Sequence, residues 1–238
     1  MAQAGGWKKN DVVRAVLLLL EMVGAMLQGA GPQGAGPQGV APQSVAPQGA
    51  ALLGAASLTS GGILPKDTLS HFCVVTSWDG FNATLAAYAT LLGAPAPVPG
   101  IAGGAGSNGT YIVAGVPQKL VGSTKIAFMQ LNNLTRMEFL AGDQLPSWWR
   151  DVYLQKGFEI HHQGYVLPRG VAVWPVVEAA AGADIGRPVQ WGRWGEINKP
   201  GSGCYVYVDS QVTLGVTIEI LGGSEGECDS LPAPPPAA

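Results

Sequence analysis

Charge is what this sequence has least of. Asp, Glu, Lys and Arg make up 12% of its 238 residues, about half the share of an ordinary soluble protein, which implies that much of the surface is covered. No basic run follows Lys8-Lys9, and 13 basic against 16 acidic residues leave a net charge of -3. That excludes nucleic acid as an expected partner, because phosphate binding needs clustered Lys and Arg. Cysteine is scarce too. Cys73, Cys204 and Cys228 stand too far apart for a zinc ribbon or a redox CxxC pair, and an odd number cannot all pair internally. At most one disulfide can form among them, and the redox compartment stays open.

Catalytic motifs are also missing. There is no GxSxG elbow, and the short strings at Gly201 and Gly222 read as turns. The glycines of GAGPQG and GIAGGAG come without the lysine of a phosphate-binding loop. His161-His162 is the one adjacent pair of candidate metal ligands, and successive side chains of a strand point to opposite faces. Glu159, His71 and the cysteines supply no third ligand at a diagnostic spacing. The expectation is therefore no metal, no cofactor and no enzyme activity.

What is there begins with residues 11–28, DVVRAVLLLLEMVGAMLQ. Asn10 or Asp11 can cap a helix that Gly29 and Pro32 end. Asp11, Arg14, Glu21 and Gln28 form one narrow polar stripe, and Val12, Val13, Val16, Leu17, Leu20, Val23 and Leu27 belong to a broad apolar girth. Arg14 and Glu21 interrupt the 18 to 20 or so apolar residues that a membrane span requires, so membrane contact through residues 11–28 is not favoured, and burial against protein is expected. A pentapeptide repeat follows, GAGPQ, GAGPQ, GVAPQ, SVAPQ. Its period rules out a collagen triple helix, which needs Gly at every third position. Pro32, Pro37, Pro42 and Pro47 make it an extended tether.

From about Ile63 the texture changes to short apolar runs punctuated by Gly, Pro, Asn and Asp, the pattern of an all-β domain. Strands are expected at residues 70–78, 110–116, 125–131, 136–140, 152–160, 170–177, 189–194, 204–208 and 211–221, the last two forming a hairpin about Asp209-Ser210. A short helix capped by Asn82 is expected over residues 82–92, and a long loop over 93–109. The division predicted is 1–28 helix, 29–62 arm, 63–228 β-rich domain and 229–238 Pro-rich tail, the fold class being mainly β, a single β-sandwich or jelly-roll-like domain. Trp148, Trp149, Trp191 and Trp194 read as core or interface aromatics.

The apolar helix at residues 11–28, the four Pro-Gln repeats and the strand-rich stretch ending in residues 211–221 resemble the layout of virus and phage virion proteins, in which a β body carries an extended arm. The resemblance implies a structural subunit of a large assembly, a capsid, vertex or spike-base, or cement protein, located in the virion. It implies that the chain docks its helix and arm onto copies of itself or other subunits. The alternative is an exported, membrane-anchored β-domain that binds glycans or surfaces in the cell envelope or extracellular space.

Overall fold

In a computed structural model, residues 62–65, 68–104, 108–196, 199–223, 226–233 and 235 are described. The expected apolar helix, with Val12 through Leu27, and the expected repeat arm, with Pro32 through Pro47, lie outside them. No helix among the described residues is long and apolar enough to cross a membrane.

The strands are β1 (Leu69–Val75), β2 (Gly100–Gly103), β3 (Thr110–Val113), β4 (Val116–Lys119), β5 (Ser123–Gln130), β6 (Arg136–Gly142), β7 (Glu159–Val166), β8 (Arg187–Trp194), β9 (Gly203–Asp209) and β10 (Thr217–Gly222). The helices are α1 (Phe81–Leu92), α2 (Trp148–Lys156), α3 (Val173–Gly182) and the four-residue α4 (Gln211–Leu214). All ten strands join one sheet in the order β2-β5-β6-β1-β7-β10-β9-β8-β3-β4. This corrects the expected β-sandwich or jelly roll. A sandwich needs two stacked sheets, and here helices cover the sheet instead.

The sheet is built twice from one plan. A strand (β1), a helix (α1) and three further strands (β2, β5, β6) arrange as β1-β6-β5-β2, with β6 returning parallel to β1. Then β7, α3, β8, β9 and β10 arrange as β7-β10-β9-β8, with β10 parallel to β7. The halves meet where β1 pairs antiparallel with β7. The β3–β4 hairpin interrupts the first half and crosses to the second, pairing Thr110 and Tyr111 with Trp191 and Gln190 of β8.

Side chains alternate across each strand, so the two faces have different coverings. On the outer face Tyr88 of α1 meets Phe139 of β6 edge-on, and Val173, Val176, Val177 and Ala180 of α3 pack on Val206, Val208, Ile218 and Ile220. On the inner face α2 sets Trp148, Trp149 and Val152 against Cys73, Val75, Leu140 and Tyr207.

Of the strands expected at residues 152–160 and 170–177, residues 152–156 and 173–177 are helical instead. Residues 148–156 combine β-favouring Trp, Val and Tyr, yet Ser147 caps the helix by accepting from the Arg150 amide at 3.3 Å. Asp151 and Lys156 then complement the helix dipole at its two ends. In α3, Pro175 occupies the first turn, where its missing N–H costs nothing, and Val173, Val176, Val177 and Ala180 fall on one buried stripe. Residues 82–92 are helical as expected, though Gly80, not Asn82, holds the cap position. β2 occupies part of the expected 93–109 loop, and the final hairpin, β9 to β10, turns through α4.

Cys204 and Cys228 form a disulfide, leaving Cys73 free and buried. It ties the C-terminal segment to β9; Leu231 packs into the outer core and the Trp191 indole N–H donates to the Pro232 carbonyl at 3.2 Å. Leu231 and Pro232 of the tail therefore lie on the chain's own domain. The bridge closes a loop 24 residues apart in sequence, so opening it with a reductant should lower unfolding free energy by about 3 kcal/mol. Denaturant midpoints that coincide with and without reductant would contradict this.

Candidate metal centre

Four polar side chains converge at the middle of the inner face: His71 from β1, Glu138 from β6, His162 from β7 and Glu219 from β10. These are four adjacent strands of the sheet, two from each half. The set obeys the twofold plan: β1 and β7 each give a histidine, β6 and β10 each a glutamate. His71 Nε2 stands 3.1 Å from His162 Nε2, 3.3 Å from Glu138 Oε2 and 3.0 Å from Glu219 Oε2. His162 Nε2 stands 2.9 Å from Glu138 Oε2 and 3.2 Å from Glu219 Oε2. All four residues are at most 4% exposed.

The backbone makes room for this arrangement. Gly164 of β7 lies opposite both His71 and Glu219, and a Cβ there would fall 2.1 Å from His71 Cε1 and 2.4 Å from its Nε2. A side chain on Gly164 would occupy the space of the His71 ring. Two irregularities in the β1–β7 ladder act beside it. Leu69 pairs with Tyr165 and His71 with Gly164, leaving Ser70 extra; Cys73 pairs with His162 and Val74 with Ile160, leaving His161 extra. An extra residue locally disrupts the ladder and re-aims side chains. His161 and His162 therefore meet, Nδ1 to Nδ1 at 2.8 Å. The strict alternation assumed from sequence, which separated the two rings, does not hold at a bulge.

The electrostatics are those of a doubly charged hole. Burial pulls the His71 pKa down, but the Glu138 and Glu219 carboxylates close beside its ring outweigh it and raise the value to about 10. His162 is likewise raised against its own burial by the same two carboxylates. Burial pushes Glu138 and Glu219 up, and the two histidines overcome it and hold both below the usual carboxylate range. Two imidazolium protons thus balance two carboxylates in a place almost without water. His161 is different: burial, then the positive His162 beside it, lowers it to about 3, so it stays neutral.

These residues fit a divalent transition metal. Ligands at about 2.0–2.2 Å from such an ion lie about 2.8–3.6 Å from each other, and the five separations given above fall within that span. Oε2 of both glutamates is buried without a geometrically good hydrogen bond, as expected of an atom shaped for another partner. Two carboxylates and two neutral imidazoles would neutralise a 2+ ion. Cys73, His161 and His162 form a second, overlapping cluster.

The residues singled out from sequence are elsewhere. Trp148, Trp149 and Trp191 are buried in the protein's own cores, and Trp194 is 41% exposed. None contributes to the centre, although Trp149 donates to the Tyr207 hydroxyl at 3.1 Å beside it. Sequence reasoning passed over Glu138 and Glu219 altogether. Their signal was a repeated string, Met137-Glu138-Phe139-Leu140 and Ile218-Glu219-Ile220-Leu221, each with one acid inside an apolar strand.

No known family matches the sequence and no curated protein does. Solved structures similar to the chain include methylmalonyl-CoA epimerase from Mycobacterium tuberculosis, at 10% identity and TM-score 0.41 over 66% of this chain and 87% of that one. A hypothetical protein from Bacillus halodurans matches at 15% and 0.41 over 66% and 94%. A mutant 4-hydroxymandelate synthase from Streptomyces coelicolor matches at 10% and 0.42 over 66% and 49%. Scores this low assign neither family nor activity to this chain. The expectations of a virion structural subunit and of a protein that is not an enzyme are corrected on the buried cluster of two histidines and two glutamates at the heart of the sheet.

Proposed function

We propose that the chain is a metal-dependent enzyme, with His71, His162, Glu138 and Glu219 holding one divalent transition ion. The observation that carries this reading is the convergence of four buried donors from matched positions of two half-sheets. A purely structural role explains it poorly. Removing two ion pairs from a protein interior in favour of apolar packing is often neutral or stabilising, so stability alone gives no reason to keep them. Donors of nitrogen and oxygen suit zinc, iron, manganese, cobalt or nickel.

When bound, such an ion supplies Lewis acidity toward a substrate carbonyl or oxyanion. The chain's own residues would set what reaches it. Arg136 precedes Glu138 by two residues on β6 and pairs with His71 across the β1–β6 ladder, so it lies on the same face. Its guanidinium stacks 4.9 Å from the centroid of Phe128, which is 42% exposed, and donates to Ser70 Oγ at 3.4 Å. No carboxylate partner to Arg136 is found among the described residues. A planar cation held on an aromatic ring suits a substrate carboxylate or phosphate, so a small anionic oxygen-bearing substrate is favoured. Arg136→Gln should raise KM about 10-fold or more for such a substrate and leave metal content unchanged.

The test of the reading itself is metal loading. Full-length protein stripped with a chelator and dialysed against Zn2+ or Co2+ should regain one ion per chain, and Glu219→Gln should not. Equal loading of the two proteins would overturn the assignment.

A further inference from the structure

Each ligand histidine is preceded by the extra residue of a bulge, and in both cases that residue's side chain meets the ring nitrogen that faces away from the centre. Ser70 Oγ lies 3.2 Å from His71 Nδ1, and His161 Nδ1 lies 2.8 Å from His162 Nδ1. We infer that Ser70 and His161 are twin positioning residues that fix the tautomer and ring angle of the two metal-binding histidines, with His161 the dominant one.

The logic follows from the atoms. Both Nε2 atoms point into the centre, so a histidine that ligates through Nε2 must carry its remaining proton on Nδ1. His162 Nδ1–H then donates to His161 Nδ1, which requires His161 to be neutral with its own proton on Nε2. Ser70 Oγ accepts from His71 Nδ1–H in the same way. Ligating histidines whose second nitrogen is bonded are fixed in orientation, and loss of that partner typically weakens metal binding 10- to 100-fold.

The halves are unequal. The His161 ring is buried, and its ring packs edge-on against His162 and Tyr207, with centroids 5.1 and 5.6 Å apart. Ser70 is only partly buried and shares its hydroxyl with Arg136. His162 should therefore be the rigid ligand and His71 the adjustable one, with Arg136 reaching His71 through Ser70.

This inference rests on the metal reading, and one titration separates the two. Co2+ affinity and ligand-field absorption would be measured on full-length wild type, His161→Leu, His161→Asn and Ser70→Ala, with thermal unfolding of each metal-free protein as the folding control. His161→Leu should bind Co2+ about 10- to 100-fold more weakly with a shifted absorption band. His161→Asn, whose amide oxygen can accept from His162 Nδ1–H, should restore most of the affinity and the wild-type band. Ser70→Ala should lose about 2- to 10-fold. Folded His161→Leu with wild-type affinity and spectrum would overturn the positioning role alone. His161→Leu that fails to fold while His161→Asn folds and still binds weakly with a shifted band would overturn it as well. Wild type that binds no Co2+ would overturn both it and the metal reading.

Discussion

Gly164→Ala should weaken metal binding by about 100-fold or more, although it adds one methyl group to a strand that can accept it. The backbone at Gly164 is not in the left-handed region, so the substitution brings no conformational strain of its own. The effect comes from contact alone: the new Cβ would lie 2.1, 2.4 and 2.6 Å from Cε1, Nε2 and Nδ1 of His71. The His71 ring must leave its place between Glu138 and Glu219, or the β1–β7 ladder must open. Overpacking a tight interior costs about 1–3 kcal/mol. In a His71→Ala background the space is free, so the same Gly164→Ala change should then cost little. A double-mutant cycle on unfolding free energy measures this coupling, and additive effects would show that Gly164 does not serve His71.

Metal affinity should climb steeply with pH, by up to about 100-fold per unit across neutrality, while the stability of the metal-free protein moves the opposite way. Both follow from the same protons. His71 is raised from 6.5 to about 10, so its contribution to the metal-free fold is complete below pH 6.5 and is lost as pH rises toward 10. Glu138 and Glu219 are lowered from 4.5, so theirs is complete above pH 4.5 and is lost as pH falls through their folded values. His161, lowered from 6.5 to about 3, withdraws stability as pH falls below 6.5, so metal-free protein should be most stable near pH 6.5. Binding of a cation must expel the two imidazolium protons, and each proton released contributes up to about tenfold per pH unit. Paired thermal melts with and without Zn2+ from pH 5 to 9 should diverge as pH rises. Parallel curves would mean that the two histidines do not give up protons to a metal.

The fold was partly legible in the sequence. The clean alternation of CYVYV announced β9 and the run at residues 211–221 announced β10, though residues 211–214 of that run are helical, and the NATLAAYATLL stretch announced α1. Strand-favouring Val and Trp disguised α2 and α3, whose helicity depends on the Ser147 cap and on burial of one stripe against the sheet. The sandwich expectation failed for a related reason: with α3 read as a strand, no helical crossover remained between β7 and its parallel partner β10, and α1, though expected as a helix, was not recognised as part of the connection that brings β6 parallel to β1.

The centre was harder to see. His71 and Glu138 are 67 positions apart by number and meet only because β6 returns beside β1. The His161-His162 pair was visible, but its meaning depended on a bulge that no local pattern in QKGFEIHHQGYV announces. One sign did lie in the sequence. A lone glutamate inside an apolar strand is costly unless partnered, and here it occurs twice in the same setting, at Glu138 and Glu219.

The most direct measurement is X-ray absorption at the metal edge of full-length protein reconstituted with Zn2+ at pH 8. One ion per chain with a shell of nitrogen and oxygen near about 2.0–2.2 Å and no sulfur, lost in Glu219→Gln, is the result predicted for a centre of His71, Glu138, His162 and Glu219. A sulfur scatterer near about 2.3 Å would move the metal to Cys73, His161 and His162, and no bound zinc would remove the proposed centre.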